Sequence, residues 1–393
     1  MDVMKMALEN RAYTTAMRRV FHRFPEVGWQ EFETARRIRD ELQKLNIPYQ
    51  EVADTGTVAT LKFEKDGPVV GLRADMDALP IQEVRDLPFK SEKEGVMHAC
   101  GHDAHMAMLL TAAKIMSENR DQFRGTVKFI FQPAEEVCTK VRGGATEILK
   151  SGLVDDLNTV CGMHILPNID SGKISVEEGP RFTSAAMMRI KIIGKSGHGA
   201  MPQFSIDPIY AACRVIDALQ SIASRECDPN DTVVISICSF HCGSAANIIA
   251  ESAELLGTVR TFNNELRKQL PDMIERIIAN TCAAHRTTYE FDYYCDMPVT
   301  ANDKRCSAMA EKSVVKLLGE NGLTTYMKST GGEDFSYFLE KYPGVYAFVG
   351  CRNEEKDCVY PLHHRKFNVD EDAMTNGAAF YVQYALDAME ETW

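Results

Sequence analysis

VVGLRADMD (Val69–Asp77), HACGHDAHMAMLLTAAKIM (His98–Met116) and TVKFIFQPAEE (Thr126–Glu136) follow one another in a single stretch, and their reading decides the fold. The first is an apolar strand ending in two aspartates. The second is a loop entering a helix. The third is a buried strand ending in two glutamates. Further along, TVCGMHI (Thr159–Ile165) reads as another apolar strand, ending in a histidine. Strands and helices in alternation argue for an α/β sheet. Three times, metal-capable side chains follow the carboxyl end of an apolar strand, where open α/β sheets place their sites. That coincidence weighs more than any single residue.

Working outward, Met4–Phe24 reads as a helix closed by Pro25, and Phe32–Leu45 as a second helix with Ala35, Ile38, Leu42 and Leu45 on one face. Thr57–Phe63 followed by Pro68–Leu72 looks hairpin-like. From about Phe182 to Cys295 the style changes to alternating strands: MMRIKIIG, TVVISICSF, AELLGTVRTF and TTYEFDYYC. Two long helical patterns, Asp207–Arg225 and Glu265–His285, separate them. Strand, helix, strand, strand, helix, strand fits a ferredoxin-like insert. After Pro298 the helix–strand style returns, with GVYAFVG (Gly344–Gly350) as a core strand. The expected organisation is an α/β catalytic domain with a central mixed sheet flanked by helices, formed by residues 1–181 and 296–393. A smaller α+β domain, residues 182–295, is inserted into it.

Bulk properties narrow the class. At 393 residues the chain exceeds one typical core, so two domains are expected. Composition is that of an ordinary globular protein, 45% hydrophobic and 25% charged. No stretch is apolar for long enough to span a bilayer, and MDVMKMALENRAY lacks the apolar core of a secretory signal, so a cytoplasmic location is expected. The 12 cysteines are scattered without a CxxC pair, which suits reduced, mostly buried thiols rather than a disulfide framework. A net charge of -12 argues against nucleic acid or an anionic membrane as partner.

The chemistry concentrates in HACGHDAH. Cys100 and His102 are two apart across a glycine, so a thiolate and an imidazole reach one metal from one tight turn. Thiolate with imidazole suits Zn; imidazole with carboxylate also suits Mn, Co or Ni. Alone, each has an ordinary reading as a buried cysteine or a capping histidine. Glu135 and Glu136 are adjacent carboxylates after a very hydrophobic strand. A metal site needs a ligand and hydrolysis needs a base, and neighbouring loop residues can serve both; the alternative is a solvated acidic turn. His164 ends its strand, where a satisfied edge histidine is the bland reading. Of His363 and His364 only one fits as a direct ligand. His198, in GKSGHGAMP, has glycines on both sides, implying close backbone approach or an unusual φ. Arg260 ends LLGTVR and has the geometry to clamp a carboxylate, unless it simply faces solvent. TGGEDFSYF (Thr330–Phe338), with Gly332, looks like a glycine loop opening a helix; its backbone N–H groups suit an anion or carbonyl, while Glu333 and Asp334 also suit plain helix-start acids.

Taken in order, HACGHDAH, PAEE, GMH, SGHGAMP, NII followed by GTVR, TGGEDFSYF and LHH resemble the metallo-amidohydrolases of the aminoacylase–carboxypeptidase superfamily. The resemblance is nearest to the hippurate hydrolase, N-acyl-amino-acid hydrolase and auxin-conjugate hydrolase branch, and it covers roughly Ala12 to Ala388. It implies a zinc-exopeptidase-like catalytic domain, a dimerisation or lid domain, and two divalent metal ions per subunit, Mn2+ or Zn2+ first and Ni2+ or Co2+ next. Cys100 matches the bridging thiolate. Glu136 and His363 complete one metal site, His102 and His164 the other. Glu135 matches the general base, which takes a proton from the attacking water and passes it to the leaving amine. His198 matches a histidine that reaches the partner subunit's site in dimeric relatives, and Asn247 and Arg260 match positions that bind the substrate's carboxylate end.

The resemblance therefore implies a homodimeric hydrolase of N-acyl amino acids. Rival readings are a dipeptidase, an N-acetyl-diaminopimelate deacetylase, or a non-catalytic binder of metal or conjugate. Three departures bear on substrate choice: Ala186 where relatives usually carry aspartate, Gln203 where histidine often follows the proline, and Arg365 where proline commonly follows the paired histidines. Within the opening motif, His98 and His105 are left as supporting or packing residues, and Asp103 as a helix-start acid.

Overall fold

The computed structural model describes residues 1–137 and 143–393. Along the chain run α1 (Val3–Glu9), α2 (Arg11–Arg23), α3 (Phe32–Lys44), β1 (Tyr49–Val52), β2 (Gly56–Lys62), β3 (Val69–Asp75), α4 (His102–Glu118), β4 (Thr126–Gln132), α5 (Gly144–Lys150), β5 (Thr159–Asp170), β6 (Ile174–Ser175) and β7 (Gly179–Phe182). Next come β8 (Ser184–Ile193), β9 (Gly197–His198), α6 (Pro208–Ser221), β10 (Val233–Cys242), β11 (Ile248–Ile249), β12 (Ser252–Thr261), α7 (Asn264–Ala284) and β13 (Thr288–Met297). The chain closes with β14 (Thr300–Asn302), α8 (Lys304–Leu318), α9 (Ser336–Lys341), β15 (Gly344–Arg352) and α10 (Ala373–Glu390). Two compact units result: one of Met1–Arg181, Ala301–Met327 and Asp334–Trp393, the other of Phe182–Thr300 and Lys328–Glu333.

The first unit is built on a 7-stranded mixed sheet in the order β1-β2-β4-β3-β5-β15-β6. Its four central strands, β4, β3, β5 and β15, run parallel, and the flanking strands are antiparallel. Parallel strands covered on both faces read as unbroken apolar runs, and Val127–Gln132 and Val345–Gly350 are buried throughout. α4 and α10, buried along most of their length, pack into the same core. The chain leaves β3 through α4 to β4 on one side, then crosses to β5 on the other side of β3. The carboxyl ends of β3, β4 and β5 thus meet where the sheet order reverses, the usual position of a site in such sheets.

Local differences from the sequence reading have local causes. The expected helix Met4–Phe24 breaks into α1 and α2 at Asn10, whose side-chain amide donates to the Met6 carbonyl at 3.0 Å and competes with the helical ladder. β2 and β3 do not form a hairpin. The crossover through α4 places β4 between them, and β2 pairs with β1 and β4 instead. His164 does not end its strand: β5 runs on to Asp170, and it is the β3 ladder that stops, at Arg73 opposite Gly162. Cys295 is disulfide-bonded; most of the other described cysteines are buried, while Cys213 and Cys238 are exposed.

The second unit holds a 4-stranded antiparallel sheet in the order β10-β12-β8-β13. With α6 and α7 packed on one face, this is the ferredoxin-like βαββαβ arrangement. Both helices start as their sequences dictate. Asp207 caps α6 and accepts from Ile209 N–H, with Pro208 in the first turn; Asn263 caps α7 and accepts from Glu265 N–H. Among the described residues no helix is long and apolar enough to cross a membrane.

Candidate metal centre

Gly101 sits at φ 92°, and a Cβ there would come within 2.5 Å of Ile165 Cγ2. Only glycine fits this left-handed turn against β5. The turn brings Cys100 out of the loop and starts α4 at His102. Cys100 Sγ then lies 3.3 Å from His164 Nε2. His164 Nδ1 is engaged by the Ile165 carbonyl at 2.8 Å, which fixes the proton on Nδ1 and leaves Nε2 as a lone-pair donor. The Nδ1 side of His102 faces Asp77 and Asp75 carboxylate oxygens at 3.3 and 3.7 Å, so Nε2 is likewise the nitrogen left for a ligand.

The PAEE turn supplies the carboxylates. Ala134 is held at φ 51°, an unusual value for a residue with a Cβ, and its N–H donates to Glu31 Oε1 at 2.8 Å. Immediately after it, the N–H groups of Glu135 and Glu136 donate to the two oxygens of Asp77 at 3.1 and 2.9 Å. One carboxylate therefore grips both glutamate peptides and also faces His102. His363 has a left-handed backbone too, φ 61°, with its N–H bonded to the Ala99 carbonyl at 2.8 Å. Its Nε2 lies 3.1 Å from Glu136 Oε1. His364 turns elsewhere, stacking on Tyr360 at 5.0 Å with the rings nearly parallel.

These side chains fall into two overlapping groups, Cys100–His102–His164 and Cys100–Glu136–His363, within each of which the possible ligand atoms lie within 4.8 Å of one another. His102, Glu135 and Glu136 form a third such group. The set fits a pair of divalent cations on two counts. Thiolate, imidazole and carboxylate together are a transition-metal donor set. Moreover, His102 Nε2, the nitrogen turned away from Asp77, is buried without a hydrogen bond, which is costly unless something binds it. The field agrees. Burial opposes a charged His102, yet the carboxylates of Asp75, Asp77 and Glu136 outweigh it and raise its pKa to about 10. Burial and the neighbouring Glu136 and Glu135 push the Cys100 thiol well above its usual range, so a thiolate there calls for a compensating cation.

The second unit carries the other expected residues. β9 and β11 form a two-stranded ribbon in which His198 is paired with Ile248, and Gly199 N–H donates to the Asn247 carbonyl at 2.9 Å. The flanking glycines serve close approach rather than unusual φ. A Cβ on Gly197 would sit 1.9 Å from Ser205 Oγ, and one on Gly199 3.1 Å from the Asn247 carbonyl oxygen. His198 is exposed, and its Nδ1 accepts from Ala200 N–H at 3.1 Å, leaving Nε2–H to donate outward. Arg260 is half-buried and donates through Nε to Thr258 Oγ1 at 3.1 Å. No carboxylate pairs with it among the described residues, and burial alone draws its pKa down. A Cβ on Gly332 would lie 3.1 Å from Arg260 Nη1. Ala186 is buried in β8, and Gln203 lies in an exposed turn.

Asp103 starts its helix as expected but also has buried partners, and Asp334 departs from its expected place. Asp103 is in the first turn of α4 but fully buried, bonded to Arg18 Nε at 2.8 Å and His22 Nδ1 at 2.7 Å. Asp334 does not cap a helix, since α9 begins only at Ser336; its carboxylate takes hydrogen bonds from Arg73 Nη2, Gln132 Nε2 and Ala145 N–H. Asp77 and Glu31 were given no role by the sequence. ADMD after an apolar strand was a signal for Asp77, whereas Glu31, 103 residues before the alanine it holds, left none.

The comparisons with known proteins agree with this geometry. Residues 71–387 match the model of the peptidase family M20/M25/M40. N-acetylcysteine deacetylase of Bacillus subtilis is 38% identical over 95% of this chain and 96% of its own length. Thermostable carboxypeptidase 2 of Saccharolobus solfataricus is 38% identical over 94% of each. A crystal structure from Bacillus subtilis, described as a dinuclear metal-binding peptidase of the M20 family, superposes with a TM-score of 0.84 at 35% identity, covering 98% of this chain and 99% of that one. The chain belongs to the peptidase family M20/M25/M40, as a metal-dependent hydrolase of its amidohydrolase and peptidase members.

Proposed function

We propose that this hydrolase cleaves the amide bond of N-acyl amino acids, giving a carboxylic acid and a free amino acid. The observation that carries the reading is the sharing of one thiolate, Cys100, by two ligand groups, with Glu135 next to the ligand Glu136. Cys100 would be common to both sites, with Glu136 and His363 completing one and His102 and His164 the other. Two divalent ions bound there would supply an activated water and Lewis-acid polarisation of the carbonyl. Zn2+ suits the thiolate and Mn2+, Ni2+ or Co2+ the imidazole–carboxylate remainder.

Glu135 takes the proton of the attacking water and returns it to the amine nitrogen as the C–N bond breaks. Its backbone is pinned by Asp77, which limits its carboxylate to a small volume beside the ligands. The outward Nε2–H of His198 stabilises the developing oxyanion. Arg260, a half-buried guanidinium without an acid among the described residues, takes the substrate's carboxylate next to Gly332, and Asn247 shares that role. A cytoplasmic homodimer joined through the second unit, with His198 serving the partner subunit, completes the reading.

The relatives' names favour one variant of it. Deacetylases of acylated amino acids and carboxypeptidases both cleave an amide whose amine side bears a free carboxylate. The test is a screen of acetyl-, benzoyl- and aminoacyl-amino acids against apoprotein reloaded with Zn2+, Mn2+, Co2+ or Ni2+. Turnover of acetyl or benzoyl substrates supports the proposal. Turnover of peptides alone moves the assignment to a peptidase, and no turnover with any metal leaves a non-catalytic binder.

A further inference from the structure

We propose that His105, the last histidine of HACGHDAH, is a positioning residue that sets the separation and orientation of His102 and His164. The proposal rests on the metal centre described above. His105 belongs to a compact group with Asp75 and His102 that has the composition of a further metal site. Its hydrogen bonds exclude it as a ligand. Nδ1 is 2.6 Å from Asp75 Oδ1, while Nε2 accepts the N–H of Ile165 at 2.8 Å. A ring that accepts at Nε2 carries its proton on Nδ1, so neither nitrogen has a lone pair to offer.

The place of that second bond explains its use. β3 pairs with β5 only as far as Arg73 opposite Gly162, so the next β5 groups on that side have lost their strand partner. A buried N–H without a partner is strongly disfavoured. His105 Nε2 takes the Ile165 N–H, and the Ile165 carbonyl holds His164 Nδ1. Ile165 thus connects the two rings through its own backbone. On the other side, Asp75 is fixed by Arg73 Nη1 at 2.7 Å, and Arg73 by Gln132 and Asp334, all buried.

His105 is also wedged between the ligand rings. It lies edge-on to His164 with centroids 4.8 Å apart and stacks on His102 at 5.4 Å, while His102 and His164 are 6.1 Å apart. The chain Arg73–Asp75–His105–Ile165 therefore passes from β3 to β5 and touches both imidazoles assigned to one metal. Outer partners of this kind tune metal affinity about 10- to 100-fold.

The test uses full-length protein stripped with chelator and titrated with Zn2+ by competition, and with Co2+ by its thiolate charge-transfer and d–d absorption. Wild type and His164→Ala serve as references. His105→Phe keeps a ring but neither hydrogen bond. It is expected to bind Zn2+ roughly 10- to 100-fold more weakly, with an altered Co2+ spectrum, while the folded apoprotein remains. Asp75→Asn, which leaves the ring in place, is expected to shift both readouts the same way, and His105→Gln to recover part of the affinity. If His105→Phe does not fold, Asp75→Asn and His105→Gln decide the matter. Wild-type affinity and spectrum in the variants, with His164→Ala defective, overturn the proposal alone. No stoichiometric metal in wild type, or no effect of His164→Ala, overturns the metal reading itself.

Discussion

The candidate ligand cluster of the first unit and the proposed substrate-binding set of the second, His198, Asn247 and Arg260, are built on opposite principles. Cys100, His102 and His164 are buried, and hydrogen bonds or neighbouring carboxylates orient both imidazoles. His198 and Asn247 stand at a short exposed ribbon, and among the described residues Arg260 has one side-chain hydrogen bond and no acid. A centre that holds cations gains from rigidity, because misplacing a donor costs affinity. Groups that meet a substrate gain from being left unsatisfied until it arrives, since a buried guanidinium is repaid only when its carboxylate binds.

The difference can be broken most forcefully at Glu135. Glu135→Gln should retain both metals and lose about 10²- to 10⁴-fold in kcat; elemental analysis beside steady-state rates checks it, and near wild-type turnover would falsify the assignment of the base.

Next in size is the support beneath α4. Asp103→Asn breaks a buried pair with Arg18 and His22 and should cost about 3–5 kcal/mol by urea unfolding near neutral pH. Burial opposes ionisation of Asp103, but the charges of Arg18 and His22 hold its pKa far below the usual carboxylate range. A depressed acid stabilises above its unfolded pKa, about 3.9, and that stability drains away as pH falls below it. The gap between Asp103→Asn and wild type should therefore narrow below about pH 4. His22 acts in the opposite sense: burial opposes its charge, Asp103 outweighs burial and raises its pKa, and its contribution is full below about 6.5 and lost on further rise through the folded value.

His198→Ala should lower kcat about 10²- to 10³-fold with little change in metal content, as expected for loss of an oxyanion donor. A change confined to KM would move His198 to substrate binding. The smallest effect is expected at Arg260. Arg260→Ala should raise KM by about 10- to 150-fold, the value of a charged hydrogen bond of about 1.5–3 kcal/mol, and the loss should vanish for substrates whose carboxylate is amidated. An equal loss for both substrates would return Arg260 to a packing role.

The core of the fold was legible because its strands are unbroken apolar runs and its helices carry a 3.6-residue period. The exceptions are instructive. The hairpin reading failed because neighbouring strands in sequence need not be neighbours in a sheet once a crossover helix intervenes, as α4 does between β3 and β4. Asp103 was read as an ordinary helix-start acid because nothing near it in sequence reveals Arg18, 85 residues away. His363 and His364 were indistinguishable as residue types, and a backbone φ of 61° at His363 separates them.

Residue identity and spacing alone named the candidate donors: a thiolate and an imidazole across a glycine, and paired glutamates after a strand. Those are short-range properties, written in a few consecutive residues. Which nitrogen of each histidine stays free, which carboxylate grips the glutamate peptides, and why His105 supports the centre rather than joining it depend on where β3 stops beside β5 and on partners 30 to 103 residues away. Hydrogen bonds over such separations exist only once the sheet has assembled, so the fold, and not the motif, chooses among the donors.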